Sequence, residues 1–193
     1  MVLITRREIP KTAPVTDKNT QLVPIRRGIG ISLFDLVLLV PPDKRSDNGP
    51  SVRNVKASGL AALFESRGFR TMVVQTPGDT AAAPDKTITD LAADARGVLV
   101  MCEQGGDVSG VWLAWMLGRT AANGQKMALL PVARRDPWAK VWKLPPLVRD
   151  LPYVGMAKAV GDREPSFWVV PAHEPPDSRD AVNLDYWLHD YRS

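Results

Sequence analysis

The chain has 193 residues, of which 45 % are hydrophobic and 24 % are charged, a balance typical of one globular domain. Its single cysteine, Cys102, excludes an internal disulfide framework, and with only two histidines no structural metal site is predicted. The longest apolar run, residues 36–42, is too short to span a bilayer, and no segment resembles a secretion signal. We therefore expect a cytoplasmic protein with no membrane contact and no cofactor.

The positive charge lies in an N-terminal segment. Residues 1–34 hold six basic and two acidic side chains, so their net charge equals the +4 of the whole chain. Three prolines and the lack of a sustained period predict an extended basic arm before an α/β domain at residues 35–193. Such an arm could bind nucleic acid, anionic lipid or an acidic partner, or it could be a solvated tail.

From residue 35 onward, apolar runs alternate with segments of helical periodicity. Residues 35–40 read Asp-Leu-Val-Leu-Leu-Val before two prolines, which is typical of a strand covered on both faces. The next segment has apolar residues at helical spacing between a capping Ser51 and a terminating Gly68. Further strands are predicted at 71–75, 98–102, 126–132 and 166–171. Further helices are predicted at 87–96, stopped by Gly97, at 109–122, closed by Asn123 and Gly124, and at 185–191.

This alternation predicts right-handed βαβ units and a parallel sheet with helices on both faces. Five strands favour a flavodoxin-like three-layer α/β fold with the strand order 2-1-3-4-5. Ligands of such sheets bind beyond the carboxyl ends of the strands, near the switch in strand order. We therefore expect residues 42–45, 75–79 and 103–110 to surround one crevice, with Asp43 and Arg45 among the ligand-binding residues.

The loop after the third predicted strand reads Glu-Gln-Gly-Gly-Asp-Val-Ser-Gly over residues 103–110. Adjacent glycines allow a ligand to approach the backbone closely, and a helix beginning near Ser109 would direct free N–H groups at an anion or a ribose hydroxyl. The alternative is a plain turn in which Asp107 or Ser109 only caps the helix. The predicted ligand-binding residues of this loop and helix are Gln104, Gly105, Gly106, Ser109, Gly110 and Trp112.

Residues 85–132 resemble a group of α/β enzymes that act on N-glycosidic bonds. Asp107, Gly110 and residues 123–126 are similar to the acidic residue, Gly-Thr and Gly-Lys elements of nucleoside 2-deoxyribosyltransferases. Residues 104–106 are similar to the Pro-Gly-Gly motif of lysine-decarboxylase-like phosphoribohydrolases, and residues 109–112 to the Ser-x-x-Trp helix start of TIR-like domains. The resemblance implies a nucleotide or nucleoside ligand.

The chain departs from these families at their catalytic carboxylate. All three place a Glu on the helix after this loop, whereas residues 114–116 here read Ala-Trp-Met and no acidic residue occurs between Val108 and Val132. A departing base leaves positive charge on the sugar, which a nearby carboxylate stabilises. The sequence therefore favours a binding domain. An active N-glycosidase or transferase that uses Glu103 or Asp107 as its catalytic residue is one alternative.

Tryptophans and basic residues suggest a second alternative, a TIR-like assembly module. The residues predicted to bind a protein partner or a second copy are Arg134, Arg135, Trp138 and Trp142. Nucleic-acid binding by this segment is disfavoured because no OB, RRM or helix-turn-helix pattern accompanies it. Trp112 and Trp115 are either a stacking wall for a base or, as we prefer, packed against the sheet.

The two histidines lie in no nucleophile or metal spacing. His173 follows the last predicted strand, where it either faces the crevice or, as we prefer, lies at the surface. Cys102 is expected to be a buried apolar residue rather than a nucleophile, because no basic neighbour in sequence would lower its pKa.

Overall fold

The computed structural model describes residues 4–5, 34–40, 52–75, 90, 92–103, 111–133, 148–159, 161–175 and 177–189. At residues 4–5, 52–55, 75, 103, 111–112 and 133 only the backbone is described. The strands are β1 (Ile4–Thr5), β2 (Leu36–Val40), β3 (Thr71–Gln75), β4 (Gly97–Glu103), β5 (Lys126–Ala133), β6 (Tyr153–Ala157), β7 (Ser166–Val170) and β8 (Val182–Asn183). The helices are α1 (Val52–Glu65), α2 (Val111–Ala122) and α3 (Leu184–His189), and residues 90 and 92–93 are also helical. None of the helices in these ranges has the length and apolarity that crossing a membrane requires.

All eight strands belong to one mixed sheet of order β3-β2-β4-β5-β6-β7-β8, with β1 beside β5. Pairing is parallel from β3 through β6, whereas β7 and β8 join antiparallel. The predicted α/β class is therefore confirmed, and so is the order of the first four strands of the domain. The predicted five-stranded, wholly parallel sheet is wrong.

The error lies in the fifth strand. The position beside β5 is taken by β6, in a segment where the sequence predicts no strand. Residues 166–170 do form a strand, but β7 runs antiparallel to β6, with Tyr153 opposite Val170. Only eight residues separate β6 from β7, and a parallel crossover needs a dozen or more. A reversal, with Gly161 at a φ of 97°, is what this length permits.

The sheet buries both faces. On the first, the α1 face, even-numbered residues of β2 pack beneath α1 and α3; on the second, the α2 face, odd-numbered residues pack beneath α2 and residues 92–95. The largest core members of the α1 face are Leu36, Leu38, Leu60, Phe64, Leu99, Met101, Leu130 and Phe167. Those of the α2 face include Val37, Leu39, Val100, Leu113, Met116, Leu129 and Tyr153. Because successive side chains alternate across a strand, one unbroken apolar run supplies both layers.

Two glycines end their helices as the sequence predicted. Gly68 has a φ of 90°, and its N–H bonds the Glu65 carbonyl while the N–H of Phe69 bonds the Phe64 carbonyl. Gly124, with a φ of 65°, ends α2 through the same pair of bonds, in which its N–H reaches Ala121. This is the Schellman arrangement, which requires the left-handed conformation that glycine adopts without strain. By contrast, the predicted helix stop at Gly97 is wrong, because that residue begins β4.

The sheet curls around the end of α1. Three strands lie between β2 and β7 in the sheet, yet the rings of Phe64 on α1 and Phe167 on β7 stack with centroids 4.2 Å apart. Just beyond α1, the Arg67 guanidinium bonds the Glu164 carboxylate at 2.6 Å, immediately before β7. Strands spaced about 4.8 Å apart in a flat sheet would hold these groups too far apart, so twist and coiling must bring β7 round to α1.

Two Gly→Ala substitutions should have opposite effects on stability. A Cβ on Gly118, inside α2, would meet no atom within 4 Å, and alanine should raise the free energy of unfolding by roughly 0.5–1 kcal/mol. A Cβ on Gly68 also meets open space, but its φ of 90° makes alanine there destabilising, by about 1 kcal/mol. Urea unfolding of both variants measures the contrast. Equal effects would contradict the helix assignment or the left-handed turn.

Candidate functional site

The parallel part of the sheet contains one switch in strand order. From β2 the chain crosses through α1 to β3 on one side, and it then returns to β4 on the other side of β2. The connections that leave β2 and β4 therefore diverge at the carboxyl ends of these two neighbouring strands. Such a divergence is where open α/β sheets leave a crevice.

A step in the sheet lies at the same place. The last paired residues of β2 and β4 are Leu39 and Val100. The next residue, Val40, ends β2, and in this register it lies opposite Met101. The ladder between β4 and β5 continues for three more pairs, to Glu103 opposite Val132. Thus β4 projects two residues, about 7 Å, beyond the end of β2.

The N-terminal segment also reaches this rim. Ile4 and Thr5 pair in parallel with Val132 and Ala133, the last two residues of β5. Because Val132 already pairs with Glu103 on one side, β1 must lie on the other side of β5. The backbones of Glu103, Val132 and Ile4 therefore form one row across the carboxyl end of the sheet.

Two of the predicted site residues have a described backbone. Glu103 is the last residue of β4, at the upper end of the step, and Trp112 is the second residue of α2. Only seven residues join β4 to α2, so the start of α2 lies at the same end of the sheet as Glu103. The other predicted ligand-binding and catalytic residues lie outside the described residues: Asp43, Arg45, Gln104, Gly105, Gly106, Asp107, Ser109 and Gly110. So do Arg134, Arg135, Trp138 and Trp142.

The prediction for Trp115 is wrong. Its side chain is 41 % exposed instead of packed against the sheet, and the Arg119 guanidinium lies 5.5 Å from its ring centroid. Arg119 also donates to the Asp90 carboxylate at 3.3 Å. Among the described side chains of α2, Leu113, Met116 and Thr120 are buried and Leu117 packs partly against the same core, and this stripe at helical spacing turns Trp115 outward.

Cys102 is buried on the α2 face, as the sequence predicted. Burial raises the pKa of its thiol to about 12. The reactive species is the thiolate, which is rare at neutral pH when the pKa is this high. Cys102 is therefore part of the core beneath α2 and supplies no nucleophile.

The native thiol should react with a disulfide reagent far more slowly than the unfolded thiol. At about pH 8 only about one Cys102 side chain in ten thousand would be ionised in the folded state, on the basis of its pKa. Labelling followed in buffer and in concentrated urea measures the difference. Rapid stoichiometric labelling of the folded protein would contradict the burial.

Alkaline pH should destabilise the fold for a related reason. Burial is also the main cause that raises the pKa of Tyr153, with the Asp177 and Glu174 carboxylates adding to it. A group whose pKa is higher in the folded than in the unfolded protein stabilises the fold fully at pH values below its unfolded pKa. This stabilisation is lost as the pH rises towards its folded pKa. For Cys102 that loss begins near a pH of about 9 and extends to about 12. The free energy of unfolding in urea, measured at intervals across this pH range, checks the expected loss of stability.

Sequence analysis missed an ionic network at the opposite, amino-terminal edge of the sheet. The Asp35 carboxylate accepts bonds from Arg70 Nε at 3.1 Å, from Arg70 Nη2 at 3.0 Å and from the Arg70 backbone N–H at 2.9 Å. Arg96 Nε lies 3.8 Å from the same carboxylate. The Arg70 side-chain hydrogen bonds hold the pKa of Asp35 below its usual value, against burial, which acts in the other direction. The sequence feature that could have indicated this network is an aspartate directly before an apolar strand.

The two histidines also lie away from the rim. His173 is exposed, has a φ of 67° and bonds the Asp150 carboxylate at 3.0 Å. It follows the end of β7, which pairs with the start of β6, so it is not placed at the carboxyl ends of the parallel strands. His189 ends α3. Among the described residues no group of His, Cys, Asp and Glu side chains could hold a metal ion.

Comparison with known proteins adds no relative: no protein-family model matches this chain, and no curated protein is significantly similar to it.

Proposed function

We propose that this chain binds a nucleotide or nucleoside at the carboxyl ends of β2 and β4. The observation that carries the proposal is the step at the switch in strand order, where β4 projects two residues past β2 and ends at Glu103. A glycine-rich loop, residues 104–110, leaves the projecting strand and leads directly into α2. Loops of this kind, between a strand and a helix N-terminus, bind phosphates and ribose hydroxyls in many α/β folds.

The proposed contacts follow from the chemistry of the loop. The N–H groups of Gly105, Gly106 and Gly110 bind phosphate or hydroxyl oxygens, because no Cβ obstructs the approach. Glu103 and Asp107 accept hydrogen bonds from the ribose hydroxyls, and the Trp112 indole stacks on the base. Gln104 and Ser109 complete the polar contacts, and Asp43 and Arg45 come from the loop that follows β2.

Binding is favoured over catalysis by the composition of α2. The first two turns of the helix hold no acidic residue, and Met116 is buried while Ala114 and Trp115 are exposed. Stabilising a positively charged sugar requires a carboxylate near the anomeric carbon, and removing it costs several kcal/mol in the transition state. In this chain Glu103 or Asp107 would have to take that role.

Calorimetry and thermal shift with adenosine, AMP, NAD and ribose 5-phosphate test the proposal. We expect one of these probes to bind, and Gly106→Val to weaken its affinity more than about tenfold because a branched side chain blocks the backbone. Gly118→Ala is the matched control, since its Cβ meets open space on a solvent-exposed part of α2. No heat and no thermal shift with any probe would overturn the proposal.

The same samples separate binding from catalysis. Chromatography of the incubated probes should show no released base. Base release that Glu103→Gln or Asp107→Asn abolishes would replace the binding proposal with an N-glycosidase or transferase. Binding that survives Glu103→Gln without any turnover is the expected result.

Self-association is a second candidate function, favoured by the outer surface of α2. Among the side chains of this helix that the structure describes, Arg119 is half-buried and the exposed residues are all apolar: Ala114, Trp115, Gly118, Ala121 and Ala122. Helices that are apolar all round are usually covered. Residues 134–147, which hold Arg134, Arg135, Trp138 and Trp142, follow β5 in the chain. Sedimentation equilibrium should show an oligomer that Trp138→Ala or Arg134→Glu dissociates, and a strictly monomeric wild type would contradict this candidate.

A further inference from the structure

The strand β3 lies at one end of the strand order, and within the described part of the chain it pairs only with β2. Its five residues, Thr-Met-Val-Val-Gln, include no charged residue and no proline, and their pairing with β2 is regular, without a bulge. Charged residues, prolines and bulges are the usual means by which an edge strand avoids pairing with another chain. The outer edge of β3 has none of these protections.

The backbone of β3 directs alternate residues towards this outer edge. The N–H of Leu36 bonds the carbonyl of Arg70, directly before β3, at 3.2 Å, and Leu36 is level with Thr71. Along a strand, successive residues direct their backbone groups to opposite sides. The even-numbered residues of β3 therefore face β2, and residues 71, 73 and 75 direct their N–H and C=O groups outward.

The side chains show that this edge is accessible. Met72 and Val74 pack on the α2 face, so Val73 lies on the α1 face, where it is 39 % exposed. It is one of three large hydrophobic side chains that are exposed within the described ranges. The helix α1 therefore leaves the outer edge of β3 uncovered, and another strand can approach it without displacing the helix.

A second copy of β3 fits this edge in one antiparallel register. With a two-fold axis at Val73, residue 73 lies opposite its own mate and residue 71 opposite residue 75 of the other copy. All three outward-facing residues then form hydrogen-bonded pairs, in which each pair exchanges two N–H···O bonds. An axis at residue 72 or 74 would leave only two such pairs within the strand.

The side chains are also self-complementary in this register. The strand reads polar, apolar, apolar, apolar, polar, so threonine meets glutamine, methionine meets valine, and Val73 meets Val73. Opposite residues lie on the same face, so the α1 faces of both copies remain on one side. Arg70, the charged residue directly before β3, lies about 20 Å from its mate, beyond the Debye length of about 10 Å at 0.1 M salt. This match of the strand with itself selects a second copy as the occupant.

We propose that β3 is the interface of a homodimer in which two sheets join antiparallel at Val73 into one continuous sheet. The interface is separate from the outer surface of α2 and requires no bound nucleotide, so it does not depend on the functions proposed above. Pairing of five residues buries less than the roughly 800 Å² per partner of a standard interface. The dimer is therefore reversible, with an expected dissociation constant above about 1 μM.

Sedimentation of the full chain between about 1 and 500 μM tests the dimer. We expect the average mass to rise from monomer to dimer, and Val73→Lys to raise the dissociation constant at least about tenfold because two ammonium groups would lie opposite each other. Tyr186→Lys is the matched control, since it adds the same charge at an apolar side chain on α3 that is 65 % exposed, and it should leave the dimer unchanged. A monomer at every concentration, or an oligomer that only Trp138→Ala dissociates, would overturn the proposal.

Crosslinking tests the register without the lysine variant. Val73→Cys should be linked to its mate by a short thiol crosslinker, because the Cα atoms of a hydrogen-bonded antiparallel pair are about 5.5 Å apart. Thr71→Cys is the control on the same strand, since its own mate would lie about 14 Å away. The native Cys102 is buried and contributes no reactive thiol. Equal crosslinking of the two variants, or none in either, contradicts pairing about Val73.

Discussion

Replacing Asp35 with alanine is expected to lower the free energy of unfolding by about 3 kcal/mol. The carboxylate is nearly buried and accepts three hydrogen bonds from Arg70, so its removal takes away the acceptor of those three bonds and the anion that lies 3.8 Å from Arg96 Nε. The Arg70 side chain is 52 % exposed and can be hydrated again, which keeps the loss at the lower end for a broken buried ion pair.

The position of Asp35 makes the effect cooperative across three strands. Its backbone N–H bonds the Arg70 carbonyl before β3, and its carbonyl accepts from Gly97 at the start of β4. The Asp35 side chain also accepts a hydrogen bond from the Arg70 backbone N–H and forms an ion pair with Arg96. Loss of the carboxylate therefore loosens the edge at which β2, β3 and β4 begin, whereas loss of a surface charge would not.

Glu164→Ala is the matched control for Asp35→Ala. It breaks another arginine–carboxylate pair, with Arg67, but its carboxylate is 71 % exposed. Exposed pairs contribute about 0–1 kcal/mol, so urea unfolding should separate the two variants by about 2 kcal/mol or more. Equal losses would show that the network at Asp35 is not an important source of stability.

The same network predicts a dependence on acid. The pKa of Asp35 is lower in the folded protein than its unfolded value of 3.8. The ionised carboxylate therefore stabilises the fold above pH 3.8, and this stabilisation is lost as the pH falls through the folded pKa of Asp35. The difference in stability between the wild type and Asp35→Asn should therefore be constant near neutral pH and shrink in acid. A difference that grows as the pH falls would contradict this sign.

Replacing Phe64 with alanine should have the largest effect, a loss of about 4 kcal/mol. The side chain is fully buried at the end of α1 and stacks on Phe167, while Phe69 meets it edge-on at 6.3 Å. The deletion removes contacts between α1, β7 and the turn that ends the helix. Rigid strands on one side and a helix on the other leave little scope for collapse into the cavity.

A double-mutant cycle makes this prediction specific to the curled sheet. Phe64→Leu and Phe167→Leu should each destabilise the protein, and together they should show a coupling of about 0.5–1.5 kcal/mol from the lost ring stacking. Val73→Ala on the edge strand β3, where the side chain is 39 % exposed, serves as a control that should not couple to Phe167. Strict additivity of the two phenylalanine variants would mean that β7 does not pack on α1.

Local patterns in the sequence predicted the parallel part of the sheet well. The apolar runs at β2, β4 and β5 were recognised because strands buried on both faces leave no polar alternation. Gly68 and Gly124 marked the ends of two helices because their left-handed turns have few other solutions. The strand β6 was missed: its five residues include Gly155 and lie within a segment rich in proline and tryptophan.

The candidate site was predicted only in its position along the chain. The sequence placed Glu103 one residue beyond a central strand and a helix start near Ser109, close to the observed end of β4 at Glu103 and start of α2 at Val111, because a strand and a helix each carry a local signal. Trp115 was misplaced since its spacing from Trp112 suits either side of a helix, and only the buried positions of Leu113 and Met116 decide the orientation. Asp35, Arg70 and Arg96 are far apart in sequence, so nothing local indicated that they would share one carboxylate.

The order of residues by itself thus determined the α/β class, the first four strands of the domain and the ends of two helices, because hydrophobic period and turn chemistry act over a few residues. Only the tertiary structure decided that β7 turns back against β6, that the sheet curls until Phe167 reaches Phe64, and that α3 rests on Arg96 and Lys126. These contacts join segments that are distant in the chain, and their geometry depends on the accumulated twist of many strands. No short stretch of sequence encodes that twist.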